Sequence, residues 1–507
     1  MTEAATVTSL LAAGADDAPA IGAPGREPLS HAGLRAFAGQ VVETLNGFGL
    51  GRNDRIAIVL PNGPEMAAAF VAIAAGATTA PLNPAYRAEE FEFYLTDLNA
   101  KGIVLEAGYD GPALEVAERL GVPVIRLTPR VDDAAGLFDL SADLSGAPAA
   151  GGPADPDDIA LVLHTSGTTS RPKIVPLSQA NVSASARHIA ETLRLEPADR
   201  CLNVMPLFHI HGLIAAVLSS LGAGASVHCS PGFNALRFFA WMEEVRPTWY
   251  TAVPTMHQAI LSRASRNVAV IEANPLRLIR SSSSSLPPQV MAELEEVFNA
   301  PVIESYGMTE AAHQMASNPL PPAARKPGTV GIAAGPEVAV LGPDNRPLPQ
   351  GETGEISIRG PNVTAGYENN AKANAEAFTD GWFRTGDQGF MDPEGYLTIS
   401  GRLKEIINRG GEKISPREVD EVLMDHPAVG QAVTFAVAHA KLGEDVAAAI
   451  VLREGGKATE RELRDFAAAR LADFKVPRQV LFLEEIPKGA TGKLQRIGLA
   501  KTLGLEE

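Results

Sequence analysis

The chain has 507 residues, of which 45% are hydrophobic and 20% are charged, and its formal net charge at pH 7 is −17. This length exceeds what one hydrophobic core normally supports, so we expect a globular protein with at least two domains. The negative charge disfavours nucleic acid as a partner, because nucleic acid is itself a polyanion. An anionic substrate must therefore be bound by local hydrogen-bond donors and cations.

The sequence gives little indication of a metal or redox cysteine motif, a secretory signal or a membrane-spanning helix. Cys201 and Cys229 have no metal-binding or redox spacing, and the N-terminus has no basic region followed by an apolar core. The stretches 66–82 and 210–227 lack Asp, Glu, Lys and Arg, but they are short for a bilayer and rich in small residues. They predict buried core helices rather than stable membrane insertion. We predict a cytoplasmic protein that is a monomer or a homodimer.

Apolar runs followed by helical segments recur along most of the chain. The runs predict strands at 55–60, 158–163, 248–253, 276–279 and 300–303. The segments predict helices at 65–75 and 288–298. This alternation favours an α/β fold, with a large N-terminal body of parallel-rich sheets and helices.

The pattern changes near residue 404. There the sequence predicts helices at 416–424 and 459–471 and strands at 431–437 and 445–452. These elements indicate a small α+β domain at the C-terminal end.

A turn rich in hydroxyls and cations follows the predicted strand 158–163. Its candidate phosphate-binding residues are Thr165, Ser166, Gly167, Thr168, Thr169 and Lys173. Backbone N–H groups at the end of a strand can face an anion, and an ammonium adds charge that backbone dipoles cannot supply. Pro172 stands where a Walker A loop has glycine, which argues against a P-loop NTPase. A polar surface loop is the alternative interpretation.

Four further blocks carry chemistry-bearing residues in a fixed order. They are ESYGMTE at 304–310, WFRTGD at 382–387, GRLKE at 401–405 and PKGATGKLQR at 487–496. Together with the hydroxyl-rich turn, they resemble the adenylate-forming, AMP-binding family of acyl-CoA synthetases, luciferases and peptide-synthetase adenylation domains. The resemblance covers essentially the whole chain.

The resemblance implies a reaction in which an acid, ATP and CoA give an acyl-CoA, AMP and pyrophosphate through an acyl adenylate. It assigns Lys493 to the adenylation step, Thr309 to the α-phosphate and Glu310 to Mg²⁺ and catalysis. Two anions must approach each other in adenylation, so catalysis depends on positioning and charge neutralisation. An ordinary solvated lysine is the alternative interpretation of Lys493.

The same resemblance implies roles in nucleotide and CoA binding. Tyr306 would stack on adenine, Asp387 would accept the ribose hydroxyls and Arg402 would contact ribose or phosphate. The neighbouring candidates for nucleotide binding are Glu304, Ser305 and Gly307. Lys404 would be the hinge, which divides the chain into residues 1–403 and a small mobile domain of residues 404–507. Gly410 and Gly411 would approach CoA, although a plain turn explains them equally well.

Three polar residues, His209, Ser283 and His313, occupy blocks where a fatty or aromatic acyl pocket would be apolar. Buried polar groups without partners cost about 1–3 kcal/mol each, so these residues favour a small polar acid. The blocks resemble the oxalate–CoA ligase branch of the family, which implies oxalate as the acid. The alternatives are a ligase for medium- or long-chain, malonyl or aromatic acids, a module that loads a carrier protein, and a luciferase-like oxygenase.

Overall fold

The structure is a computed structural model that describes residues 5–165, 172–487 and 496–505. Most of the predicted phosphate loop, namely Ser166, Gly167, Thr168 and Thr169, lies outside these residues. The predicted catalytic Lys493 lies outside them as well. Thr165 and Lys173, at the two ends of the loop, are described.

The strands are numbered here in chain order. In the described ranges they are β1 Pro19–Ala23, β2 Arg26–Ser30, β3 Arg55–Val59, β4 Thr78–Pro81, β5 Gly102–Glu106, β6 Val124–Pro129, β7 Phe138–Ser141, β8 Ile159–His164, β9 Ile174–Ser178, β10 Arg200–Asn203, β11 Ser226–Cys229, β12 Trp249–Ala252, β13 Leu278–Ser282, β14 Val302–Met308, β15 His313–Ser317, β16 Ile332–Ala333, β17 Glu337–Leu341, β18 Gly354–Arg359, β19 Phe378–Thr379, β20 Trp382–Met391, β21 Leu397–Arg402, β22 Ile407–Arg409, β23 Glu412–Ile414, β24 Val429–His439, β25 Gly443–Leu452 and β26 Gln479–Phe482.

The α-helices are numbered in the same way. In the described ranges they are α1 Val7–Leu10, α2 His31–Gly47, α3 Pro64–Ala74, α4 Ala88–Leu98, α5 Pro112–Leu120, α6 Gln179–Thr192, α7 Ser219–Gly222, α8 Phe238–Val245, α9 Pro254–Ala264, α10 Val268–Ala273, α11 Pro288–Phe298, α12 Ala371–Ala377, α13 Pro416–Met424, α14 Glu460–Ala468 and α15 Leu499–Thr502. Short 3₁₀ turns cover Leu11–Ala13, Thr309–Ala311 and Asp473–Lys475, and a π-helix covers His211–Leu218.

Two large sheets form the N-terminal body. Among the described residues, one sheet has the order β16-β15-β14-β13-β12-β10-β11-β1-β2 and the other has the order β7-β6-β5-β3-β4-β8-β9. Their central strands pair in parallel, and antiparallel pairs occur towards the edges. The helix α3 between β3 and β4 is almost entirely buried, because its Ala-rich surface packs on all sides. This is the parallel-rich body that the sequence predicts.

The C-terminal domain has its own sheet and core. Its described strands have the order β23-β22-β25-β24, and β26 pairs in parallel with β25. Helix α13 begins where Ser415 caps it and Pro416 occupies its first turn, and Val419 and Leu423 pack into the core below. Together with the N-terminal body, this confirms the predicted fold class. The domain boundary at 403/404 stays a prediction.

The structure corrects two local predictions. The predicted strand at 300–303 was expected to end before the polar block 304–310, but residues 304–308 continue it as β14, because this strand is paired on both sides by β13 and β15. The stretch 210–227 was expected to be one core helix, but it forms a π-helix, the short helix α7 and the start of β11. No helix in the described part of the chain has the length and apolar character needed to cross a membrane.

Candidate functional site

The ends of the predicted phosphate loop are joined by β8 and β9. Thr165 N–H donates to the carbonyl of Lys173 at 2.9 Å, and Lys173 N–H donates to Thr165 Oγ1 at 3.1 Å. These bonds continue the antiparallel pairing of the two strands, with β9 at the edge of the sheet. Thr165 and Lys173, which flank the predicted loop, therefore lie together at the end of the β8–β9 pair, at an edge of the sheet.

Lys173 and Glu310 both contact Tyr367, a residue that was not predicted from the sequence. The Lys173 ammonium lies 4.1 Å from the ring centroid of Tyr367, and the Tyr367 hydroxyl donates to Glu310 Oε1 at 2.8 Å. Burial, together with the adjacent Glu310 carboxylate, raises the pKa of Tyr367, so its hydroxyl stays a donor. Thr309 and Glu310 lie in the 3₁₀ turn that follows β14. The structure therefore brings Lys173, Thr309 and Glu310 into one region.

A second cluster joins the predicted nucleotide-binding residues. The Tyr306 hydroxyl donates to Asp387 Oδ2, and Arg402 Nε donates to Asp387 Oδ1 at 3.1 Å. Tyr306 and Asp387 are buried, and burial followed by the negative charge of Asp387 raises the pKa of Tyr306. One carboxylate thus links β14, β20 and β21, and each of its oxygens retains capacity to accept a further bond.

Three other candidates in the 304–310 block have structural contacts. Glu304 Oε1 accepts from Leu286 N–H at 2.9 Å, and burial raises the pKa of Glu304 to about 7. Ser305 Oγ shares a hydrogen bond of 2.8 Å with Ser317 Oγ inside the sheet. A Cβ at Gly307 would lie 1.9 Å from the carbonyl oxygen of His313. The Glu304 and Ser305 side chains therefore bond to groups outside the cluster of Tyr306 and Asp387. Gly307 is explained by close packing, because a side chain there would clash with His313.

The three predicted acid-binding residues converge on His211. His211 N–H donates to His209 Nδ1 at 3.2 Å, and His211 Nδ1 lies 3.0 Å from Ser283 Oγ. The rings of His211 and His313 have centroids 5.0 Å apart. Ser283 and His313 have φ angles of 73° and 105°, a region that non-glycine residues rarely adopt and that is often associated with functional sites. Ser283 and His313 thus lie against the buried imidazole of His211, and His209 accepts from the backbone N–H of the same residue.

A buried arginine lies behind this imidazole. Arg280 Nη1 lies 3.4 Å from His211 Nε2, and Arg280 Nη2 donates to Gln314 Oε1 at 3.3 Å. Arg280 was not among the residues predicted from the sequence, although its position directly before the serine run 281–285 was a usable signal. A buried positive charge therefore lies behind the neutral polar groups of this cluster.

Residues 11–368 match the family model described as AMP-binding enzyme, and residues 418–493 match that of the AMP-binding enzyme C-terminal domain. The chain belongs to the AMP-binding enzyme family.

Individual relatives of this AMP-binding enzyme cover nearly the whole chain. The oxalate–CoA ligase of Arabidopsis thaliana is 45% identical over 494 residues, which cover 95% of this chain and 94% of that protein. The oxalate–CoA ligase of Saccharomyces cerevisiae is 44% identical over 476 residues, which cover 89% and 87%. ATP-bound MatB from Rhodopseudomonas palustris, which is 30% identical, has a TM-score of 0.88, with 98% of each chain covered. The TM-score against its apo form is 0.79, so the arrangement here is closer to the ATP-bound form.

The predicted hinge and CoA-facing residues of this AMP-binding enzyme lie between and within the two domains. Lys404 is exposed in a turn between β21 and β22. Gly410 and Gly411 form the turn between β22 and β23, with φ angles of 62° and 102°. Glycine adopts both angles without strain, so a tight hairpin accounts for the pair.

Arg496, the first described residue after Lys493, pairs with two carboxylates. Its Nη2 lies 2.6 Å from Asp420 Oδ2, and its Nε lies 3.5 Å from Glu405 Oε2. Arg496 is therefore paired with α13 and with the residue after Lys404.

No group of three or more His, Cys, Asp or Glu side chains arranged to hold a metal occurs in the described ranges of this AMP-binding enzyme. Mg²⁺ in nucleotide sites is usually held by one or two carboxylates together with substrate phosphates and water. Glu310 fits that pattern, because Tyr367 donates to its Oε1 and so orients its carboxylate in the same region as Lys173. A metal site completed by the nucleotide is therefore compatible with these residues.

Proposed function

We propose that this chain is an ATP-dependent carboxylate–CoA ligase that converts oxalate into oxalyl-CoA through an oxalyl adenylate. The observation that carries the choice of acid is the polar pocket in which His211 links His209, Ser283 and His313, with Arg280 behind it. A small dicarboxylic acid offers several acceptor oxygens to this polar cluster, whereas the chain of an alkyl or aromatic acid offers none. The two oxalate–CoA ligases at 45% and 44% identity support the same acid.

In the first step, a substrate carboxylate oxygen attacks the α-phosphorus of ATP and pyrophosphate leaves. Lys493 would bridge the two reacting anions and Thr309 would contact the α-phosphate. Lys173 and the hydroxyl-rich loop would bind the β- and γ-phosphates. Glu310 would hold Mg²⁺, which would neutralise phosphate charge. These residues lower the barrier by positioning and charge stabilisation.

In the second step, the CoA thiol attacks the acyl carbon of the adenylate, AMP leaves and the thiol proton is released. No protein nucleophile is needed, because the adenylate is already activated. Gly410 and Gly411 would face the pantetheine arm after the small domain moves about Lys404. The domain boundary at 403/404, the cytoplasmic location and a monomeric or homodimeric state are further parts of this proposal.

Steady-state CoA thioester formation tests the proposal with oxalate, malonate, acetate, octanoate and 4-coumarate in the presence of ATP and Mg²⁺. We expect the highest kcat/KM with oxalate. A preference for octanoate or 4-coumarate would contradict the polar pocket and leave the adenylation chemistry in place. AMP formation without a CoA thioester would instead favour a carrier protein as the acyl acceptor.

A further inference from the structure

Arg280 is a fully buried guanidinium in the middle of β13. It faces two neutral acceptors, His211 Nε2 and Gln314 Oε1, and it forms no ion pair with any carboxylate of the described residues. Burial lowers the pKa of Arg280 to about 9, so the group remains a cation near pH 7. Burying a charge without an ion-pair partner costs free energy, so the Arg280 guanidinium does not serve to stabilise the fold. This indicates a functional role for Arg280.

The fold fixes the position of this cation relative to the acid pocket. Arg280 on β13 is the register partner of Thr251 on the neighbouring parallel strand β12, and both approach His211 Nε2. Thr251 Oγ1 lies 2.6 Å from this nitrogen. Gln314 donates through Nε2 to His188 O, Thr192 Oγ1 and Ala334 O, which leaves its Oε1 to accept from Arg280.

These contacts determine which nitrogen of His211 carries the proton. Arginine can only donate and the Thr251 hydroxyl can also donate, so the two contacts together favour a His211 Nε2 that carries no proton, and the adjacent cation opposes a second positive charge on the imidazole. Neutral His211 therefore carries its proton on Nδ1 and donates it to Ser283 Oγ at 3.0 Å. Ser283 is left with its own hydroxyl proton to donate to a bound acid.

We propose that Arg280 is a specificity-determining residue that makes the pocket favour acids with a second carboxylate. It acts without contacting the substrate, both by its positive charge and by fixing His211 so that Ser283 donates. This inference rests on the proposed function, because it assigns a substrate class to the same site. A cation in a poorly screened interior stabilises a dianion more than a monoanion of the same shape.

The test compares oxalate with oxamate, in which an amide replaces one carboxylate at nearly the same size. KM and kcat for oxalate and the inhibition constant of oxamate are measured by ATP–pyrophosphate exchange for the wild type, Arg280→Met, Arg280→Gln and Arg280→Lys. In the two neutral variants we expect KM for oxalate to rise about tenfold or more, with the oxamate constant changing less than threefold. Arg280→Lys keeps the charge and should retain most of the discrimination.

Arg277→Met is the matched control. Arg277 lies directly before β13 but pairs with Asp199 at 2.7 Å, so its loss should leave the ratio of the oxalate and oxamate constants unchanged. Thermal unfolding checks that each variant is folded. If KM for oxalate and the oxamate constant rise equally in folded neutral variants, or if Arg280→Lys is as unselective as Arg280→Met, the role of Arg280 is overturned. A wild type without oxalate turnover would instead contradict the proposed function.

Discussion

Tyr367 and Glu310 are joined by a hydrogen bond of 2.8 Å, in which the phenol donates to the carboxylate Oε1. The Lys173 ammonium lies over the ring of the same tyrosine, 4.1 Å from the Tyr367 ring centroid. One aromatic side chain therefore positions both a cation at the end of the phosphate loop and the carboxylate proposed to hold Mg²⁺. Because the acceptor is a charged carboxylate, the hydrogen bond from the Tyr367 phenol is stronger than one between two neutral groups.

Tyr367→Phe should lower kcat/KM for ATP about tenfold and raise the Mg²⁺ concentration needed for half-maximal rate, because Glu310 loses its donor. ATP–pyrophosphate exchange at varied Mg²⁺ measures both. Tyr396→Phe is the matched control, since Tyr396 also lies beneath a lysine, with Lys326 4.2 Å from its ring centroid, and donates to the carbonyl of Ala324. Equal effects of the two substitutions on Mg²⁺ dependence would contradict the role of Tyr367.

Asp387→Asn should raise KM for ATP about tenfold with a smaller effect on KM for the acid. The amide keeps the shape of the side chain but removes the charge and one acceptor from the cluster of Tyr306 and Arg402. Asp392→Asn serves as the control, because Asp392 lies directly after the same strand and pairs with Lys326. A KM for ATP that is unchanged in Asp387→Asn would remove this residue from the nucleotide site.

Lys493→Ala should reduce adenylation about 100-fold or more, because the bridging charge between the two reacting anions is lost. CoA thioester formation from chemically prepared oxalyl adenylate should change much less, since that step does not use the lysine. Lys501→Ala provides a comparison, because Lys501 is an exposed lysine on helix α15 of the same domain. Equal loss in both half reactions would show that Lys493 acts on the fold of the small domain rather than on adenylation.

The local sequence predicted helices well where a proline marks the first turn. Helices α11 and α13 have the predicted bounds, and each has proline in its first turn. The error at 304–308 arose because polar side chains interrupt the apolar pattern of a strand that is paired on both sides. Burial of Glu304 and Ser305 comes from the sheet around them, which a local window does not contain.

The candidate site shows the same division. The order of the motifs predicted Tyr306, Asp387 and Arg402 as nucleotide-binding residues, and the three side chains form one hydrogen-bonded cluster in the structure. Arg280 and Tyr367 were missed, because their significance depends on partners distant in sequence. Arg280 meets His211 only through the parallel register of β12 and β13, and Tyr367 meets Glu310 only when its loop packs beside the 3₁₀ turn.

Glu304 should make stability depend on pH. Its pKa is raised from a usual value near 4.5 to about 7, first by burial, which the positive charge of Arg417 on α13 partly opposes. Between these two values the folded protein holds a proton that the unfolded chain has released. The free energy of unfolding therefore decreases as pH rises from about 4.5 to 7, by about 3 kcal/mol from this group.

Glu304→Gln should remove this dependence, because the amide oxygen can still accept from Leu286 N–H but the group does not ionise. We expect the difference in melting temperature between the variant and the wild type to increase in favour of the variant from pH 5 to pH 8. Glu295→Gln is the control, since Glu295 also accepts from a backbone N–H of β14 but is 31% exposed and pairs with Arg325. Its effect should be the same at both pH values. A Glu304→Gln difference that stays constant across this range would show that the buried carboxyl does not titrate there in the folded protein.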